Sequence, residues 1–152
     1  MYSTSHYLEE VLASAYPRLL AISEEEAGAK PHRDKWSFKE IVGHLIDSAS
    51  NNQQRLVRMQ ELTHIGTFRY AQEHWVGSQQ YGSEPWSDLV ELWFRYNRHL
   101  VHVIACVNPA TLEHLCDVGD PRPVTLRWII EDYVRHVEHH LRQIIPEAGP
   151  RP

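Results

Sequence analysis

The chain has 152 residues, 42% apolar and 23% charged, enough for one domain with its own core and too apolar for a disordered segment. Acidic side chains outnumber Lys and Arg by 20 to 15, a net charge of −5. That is the wrong sign for a protein that grips a phosphate backbone, so nucleic acid is not an expected partner.

The residues that follow Met1 lack the basic and apolar regions of a leader, and no run of about 18 apolar residues occurs. Neither export nor membrane insertion is expected. Leu8, Val11, Leu12, Ala15, Leu19 and Ile22 recur at helical spacing, which predicts a first helix over about residues 5 to 26. Pro17 either kinks it or marks the first turn of a shorter one. A polar stretch over 28–35 suits a connection. Ser37 and Glu40 then fit a capping box, and Ile41, Leu45, Ala49, Asn52, Leu56 and Met59 carry a second helix to about Leu62.

Residues 63–82 lose the periodicity but keep Phe68, Tyr70, His74, Trp75 and Tyr81. So aromatic a stretch is expected to pack as a flap over the domain rather than to hang free. Ser83 or Ser87 is positioned to cap a third helix, with Pro85 tolerated in its first turn. Leu89, Trp93, Tyr96, Leu100, Val103 and Ile104 mark its inner face. Residues 109–124, with Pro109, Gly119, Pro121 and Pro123, read as a connector holding at most a helical turn. Thr125 caps a last helix that runs to about Ile145 and stops at Pro146. No segment alternates as a strand does, so the expected fold is all-α: four helices, two longer connections and no sheet. Cys106 and Cys116 are too few for a disulfide framework and form no CxxC pair. Both are expected to be inert thiols in a reducing compartment, the cytoplasm.

Eleven histidines are the oddity of the composition. Most are expected on the surface, but three occupy core positions. The inner stripe of the last helix runs Ile129, Tyr133, His136, His140, Ile144, and residues four apart share one helical face. Chance alone supplies roughly one such His pair in a chain of this composition, so it is the stripe, not the spacing, that singles out His136 and His140. His139 falls toward the flank. On the second helix His44 sits among Ile41, Val42, Leu45 and Ile46, behind Gly43. Three imidazoles converging in a dry interior, with coordination positions left open, form the donor set of a catalytic metal site. A zinc-peptidase reading fails, because Val137 rather than Glu follows His136 and Glu138 points to the far side. Asp47 and Asp132 are the carboxylates spaced to orient an imidazole. The polar stripe of the second helix continues through Asp47 or Ser48 to Asn51 and Arg55. It is either a solvated face or a substrate pocket in which Arg55 meets an anion.

The segments Trp36-Ser37-Phe38-Lys39-Glu40-Ile41-Val42-Gly43-His44-Leu45-Ile46-Asp47 and, about ninety residues later, Glu131-Asp132-Tyr133-Val134-Arg135-His136-Val137-Glu138-His139-His140-Leu141-Arg142-Gln143-Ile144 resemble the DinB/YfiT-like superfamily of metal-dependent enzymes. Trp75 and Tyr96-Asn97-Arg98 also sit where that family carries similar residues. The resemblance implies one domain over 1–152, a four-helix bundle of up-down-down-up topology, often a homodimer, with nickel or zinc on His44, His136 and His140. It further implies a small-molecule substrate, and in some members a low-molecular-weight thiol as cofactor.

The expected function is therefore a metal-dependent hydrolase or thiol transferase. Asp47 is its proton acceptor, and Asn51, Arg55 and Trp75 line the substrate pocket. The alternatives are a metal-binding or stress-response module without turnover, and a metal-free bundle with core histidines.

Overall fold

The computed structural model describes residues 2–146, so the domain expected over 1–152 extends past them at both ends. Six helices carry the fold: α1 Tyr2–Leu20, α2 Glu24–Gly28, α3 Phe38–Glu61, α4 Gln72–Gln79, α5 Trp86–Ala105 and α6 Leu126–Ile144. The first departs from expectation, because the helix predicted over about residues 5–26 is two, with Pro17 near the end of the first and not in the first turn of a shorter one. Pro17 removes a donor near the end of α1, which stops a turn later at Leu20. Ser23 Oγ then accepts the Glu26 N–H and starts α2.

α3 begins as predicted. Ser37 Oγ accepts the Glu40 N–H at 3.3 Å while the Glu40 carboxylate accepts the Ser37 N–H at 2.8 Å, so two otherwise unpaired donors are satisfied reciprocally. α5 does not begin as predicted. Neither Ser83 nor Ser87 caps it; Pro85 holds the cap position without a side-chain bond. The Trp86 N–H is instead donated to Glu24 Oε2 at 2.8 Å, so the cap comes from α2. Lys39, 5% exposed, holds Glu24 in place by an ion pair and also donates to the Glu84 carbonyl at 2.6 Å.

The expectation of no sheet is also corrected. β1 (His64–Ile65), β2 (Leu115–Cys116) and β3 (Val124–Thr125) form a small sheet in that order, β1 parallel and β3 antiparallel to β2. Each strand is two residues long, too short for alternation to register in the sequence. The stretch 63–82 thus holds a strand, a helix and a 3₁₀ turn at Tyr81–Ser83, and the connector 109–124 holds the expected single turn, Pro109–Thr111. α6 starts as predicted, with Thr125 Oγ1 accepting the Trp128 N–H at 3.2 Å.

Side-chain pairs give the direction of each long helix. Tyr16, late in α1, donates to Glu91, early in α5, at 2.5 Å, so these two run antiparallel. Lys39 at the start of α3 meets Glu84 just before α5, and Gln60 near the end of α3 accepts the Asn108 N–H just after it. α3 and α5 therefore run parallel. His44, early in α3, meets His136, late in α6, so those two are antiparallel. The order is up, down, down, up, with α1 packed on α5 and α6, and α3 on the same two. The core between them includes Leu8, Leu12, Leu45, Leu56, Trp93, Leu100 and Leu141, none more than 1% exposed. Among the described residues no helix is long and apolar enough to cross a membrane.

Candidate metal centre

The antiparallel pairing of α3 with α6 brings the first turns of one helix against the last turns of the other. His44 faces α6 from α3 and is 1% exposed. His136 and His140 face back from successive turns of α6, and each is half-buried. The ring centroids lie 5.0, 4.7 and 4.5 Å apart for His44–His136, His44–His140 and His136–His140. One ligand atom from each lies within 4.8 Å of the other two, and no further His, Cys, Asp or Glu among the described residues joins the group. The Nε2 atoms of His44 and His136 are 3.1 Å apart. That matches the spacing of about 3.3 Å between two ligands held tetrahedrally at 2.0–2.1 Å.

Two of the three outer nitrogens have a partner, while His44 Nδ1 is buried without one. Ser48 Oγ lies 3.3 Å from His136 Nδ1, and Gln143 Oε1 lies 3.4 Å from His140 Nδ1. An Nδ1–H donated outward leaves the Nε2 lone pair for an ion and fixes the ring orientation. Burial, reinforced by the neighbouring imidazoles, lowers the pKa of His44 to about 4 and of His136 to about 3, and lowers that of His140 as well. At neutral pH all three are uncharged, the form that binds metal. This donor set fits a divalent ion of borderline softness.

The other predicted residues separate into those that reach this centre and those that do not. Asp47 is 2% exposed. Its Oδ1 accepts from Tyr81 Oη and Gln79 Nε2, both at 2.7 Å, while Oδ2 is buried without a partner. Burial raises its pKa. Neither Asp47 nor Asp132 bonds an imidazole. Ser48 occupies the outer nitrogen of His136, and Asp132 accepts from Arg135 at 3.2 Å on the surface of α6. Asn51 is buried but turns its amide to the Asp47 carbonyl at 2.9 Å. Arg55 donates to the Phe68 carbonyl at 2.7 Å and to Asn52 at 3.2 Å, with its guanidinium 5.4 Å from the Phe68 ring. Trp75 packs edge-on against Tyr70, centroids 5.3 Å apart. The polar stripe of α3 is therefore an inner face closed by the segment 66–81, not a solvated one. Glu138 does point away, accepting from Tyr7 at 2.7 Å. His139 lies on the flank, exposed, with its ring 5.0 Å from that of His140.

The sequence reading missed Gln143, Gln79 and Tyr81 as parts of the site. Gln143 had a signal, since it follows His140 by three positions on one helix. The other two lie more than thirty residues from Asp47, and nothing local marks them. The site is also more open than a sealed interior. His140 borders an open cleft of about 610 Å³ at this end of the bundle.

Four long helices with three convergent imidazoles define a class by fold and donor set, the four-helix bundles with a candidate metal centre. Within it, the chain belongs to the DinB superfamily, whose family model matches residues 7–144. It is similar to YfiT from Bacillus subtilis, described as a probable metal-dependent hydrolase with an unusual four-helix bundle topology. That likeness has a TM-score of 0.82 at 18% identity, over 95% of this chain and 83% of that one. It is also similar to the DinB-like protein YjoA of Bacillus subtilis, with a TM-score of 0.62 at 15% identity, over 98% and 96% of the two chains. At these identities the likeness is one of fold. No curated protein matches the chain.

Proposed function

We propose that the chain is a metal-dependent enzyme, with one divalent ion, nickel or zinc, on His44, His136 and His140, acting on a small molecule by hydrolysis or by transfer of a low-molecular-weight thiol. The observation that carries this reading is the meeting of three neutral imidazoles beside an open cleft. An ion held by three protein ligands would keep coordination positions open, and the cleft that His140 lines is of a size for a small molecule. The bound ion supplies Lewis acidity, which brings the pKa of a coordinated water or thiol toward neutrality.

The chain's own residues supply the rest. Ser48 and Gln143 hold two of the imidazoles. Asp47, fixed by Tyr81 and Gln79, keeps one oxygen without a partner and has its pKa raised by burial. A buried carboxylate with one oxygen left unpaired is the chain's own candidate for a proton acceptor. Arg55, latched to the Phe68 carbonyl, holds the segment above the polar face of α3 rather than presenting a bare cation to solvent. The description of YfiT as a probable metal-dependent hydrolase favours the hydrolytic branch.

Metal analysis of the purified protein and of His44→Ala, His136→Ala and His140→Ala, together with turnover assays, tests the reading. About one ion per chain is expected in the parent protein and little in the variants, with helical circular dichroism retained. Ester hydrolysis or thiol addition to electrophiles should stop with chelator and return with metal. A loaded protein that turns over neither substrate type would be a binding module instead, and an intact triad that takes up no ion would end the proposal.

A further inference from the structure

The cleft beside His140 has a wall that the metal chemistry does not require. Trp36 stands with its indole centroid 5.0 Å from the His44 ring and also lines the cleft, so one side chain lies against both His44 and the approach to the three histidines. Phe38 and Ile41 continue that wall. Trp36 and Phe38 are half-buried, each packed against the core. They flank Ser37, whose capping box locks the backbone at that point. The two rings are therefore held in place before any ligand arrives, and rigid aromatic surface of this kind binds at low entropic cost.

The polar side of the cleft does not select by charge. Lys35 and Glu73 both line it, one of each sign, and neither has an ion-pair partner among the described residues. Asp34 is exposed, with Arg33 3.8 Å away. Gln143 is occupied with His140. Apolar contact is the discriminating interaction that remains. A volume of about 610 Å³ is in the range of small-molecule sites.

We propose that this cleft is the substrate channel of the metal centre and that it takes an aromatic ring, or another flat apolar group, against Trp36, with the reacting end of the molecule directed at the three histidines. The inference deepens the metal-enzyme reading and rests on it. Trp36 then determines specificity and takes no part in metal binding.

Paired hydroxamates separate the two levels, because acetohydroxamate and benzohydroxamate present the same chelating group and differ in the ring. Each is titrated calorimetrically into the zinc-loaded full chain and into zinc-loaded Trp36→Ala, with metal content measured alongside. Benzohydroxamate is expected to bind the parent protein about tenfold tighter than acetohydroxamate, as burial of a ring predicts. In Trp36→Ala that preference should fall below about threefold while acetohydroxamate affinity and zinc content stay within twofold. If Trp36→Ala fails to fold, Phe38→Ala reads the same wall and should show a smaller loss of the preference. Equal binding of the two hydroxamates, or a preference that survives both substitutions, overturns the aromatic channel and leaves the metal centre standing. Failure of both hydroxamates to bind the zinc-loaded protein removes the open metal site and the channel with it.

Discussion

Gly43 and His44 are adjacent on α3, and each depends on what the other permits. A Cβ at Gly43 would lie 2.1 Å from Cδ2 of Tyr81, so the missing side chain is what allows the tyrosine to lie on the helix and reach Asp47. Glycine is needed here for space. Gly43→Ala should lower the free energy of unfolding by about 1–3 kcal/mol through overpacking, although alanine is the better helix former by about 1 kcal/mol. Urea unfolding would measure it. In a Tyr81→Ala background the same substitution should be neutral or stabilising, since the clash is gone and the effects of touching residues do not add. Equal stability of Gly43→Ala and the parent protein would show that the ring simply moves aside.

At the level of elements, α2 links the start of α3 to the start of α5. Lys39 binds the Glu24 carboxylate and the carbonyls of Gly82 and Glu84, and Glu24 takes the first N–H of α5. A buried ammonium is retained here because every direction it donates in meets an acceptor. Lys39→Met keeps the length of the side chain and removes its donors. The variant should lose about 1–3 kcal/mol of stability, and hydrogen exchange should rise at the N–H groups of the first turn of α5. Protection there unchanged from the parent protein would mean that α5 needs no help from α2. The same reasoning explains why Ser83 and Ser87 were poor guides. A local capping rule sees the residues next to a helix, whereas the acceptor used lies 62 positions away.

For the whole molecule, the most direct consequence of the metal centre is acid sensitivity when no ion is bound. The unfolded chain protonates each histidine near pH 6.5, while folded His44 and His136 resist until about pH 4 and about pH 3. Below about 6.5 the unfolded state therefore binds more protons, and stability falls with pH until the folded pKa values are passed. Asp47, with its raised pKa, acts in the opposite direction and offsets part of the loss at the acid end. Thermal unfolding of chelated protein should give a flat midpoint above about pH 7 and a steady decline from about 6.5 toward 4. Zinc should raise the midpoint most at neutral pH, where protons do not compete for the imidazoles. A chelated protein equally stable at pH 7 and pH 4.5 would contradict the burial of these rings.

All three candidate ligands were legible because a helix repeats every 3.6 residues. A histidine in the register of Ile129, Tyr133 and Ile144 must face where they face, and His44 among buried aliphatics follows the same rule. The Ser37–Glu40 capping box, the Thr125 cap and the four long helices were legible because each is decided by residues within one or two turns. What the sequence left open was decided by distant partners. The two-residue strands, the α5 cap, the Tyr81–Asp47 contact and the open cleft at His140 all depend on chain segments that meet only once the bundle closes. Pattern reports which side of a helix faces inward, but the identity of the group that waits there is a property of tertiary packing.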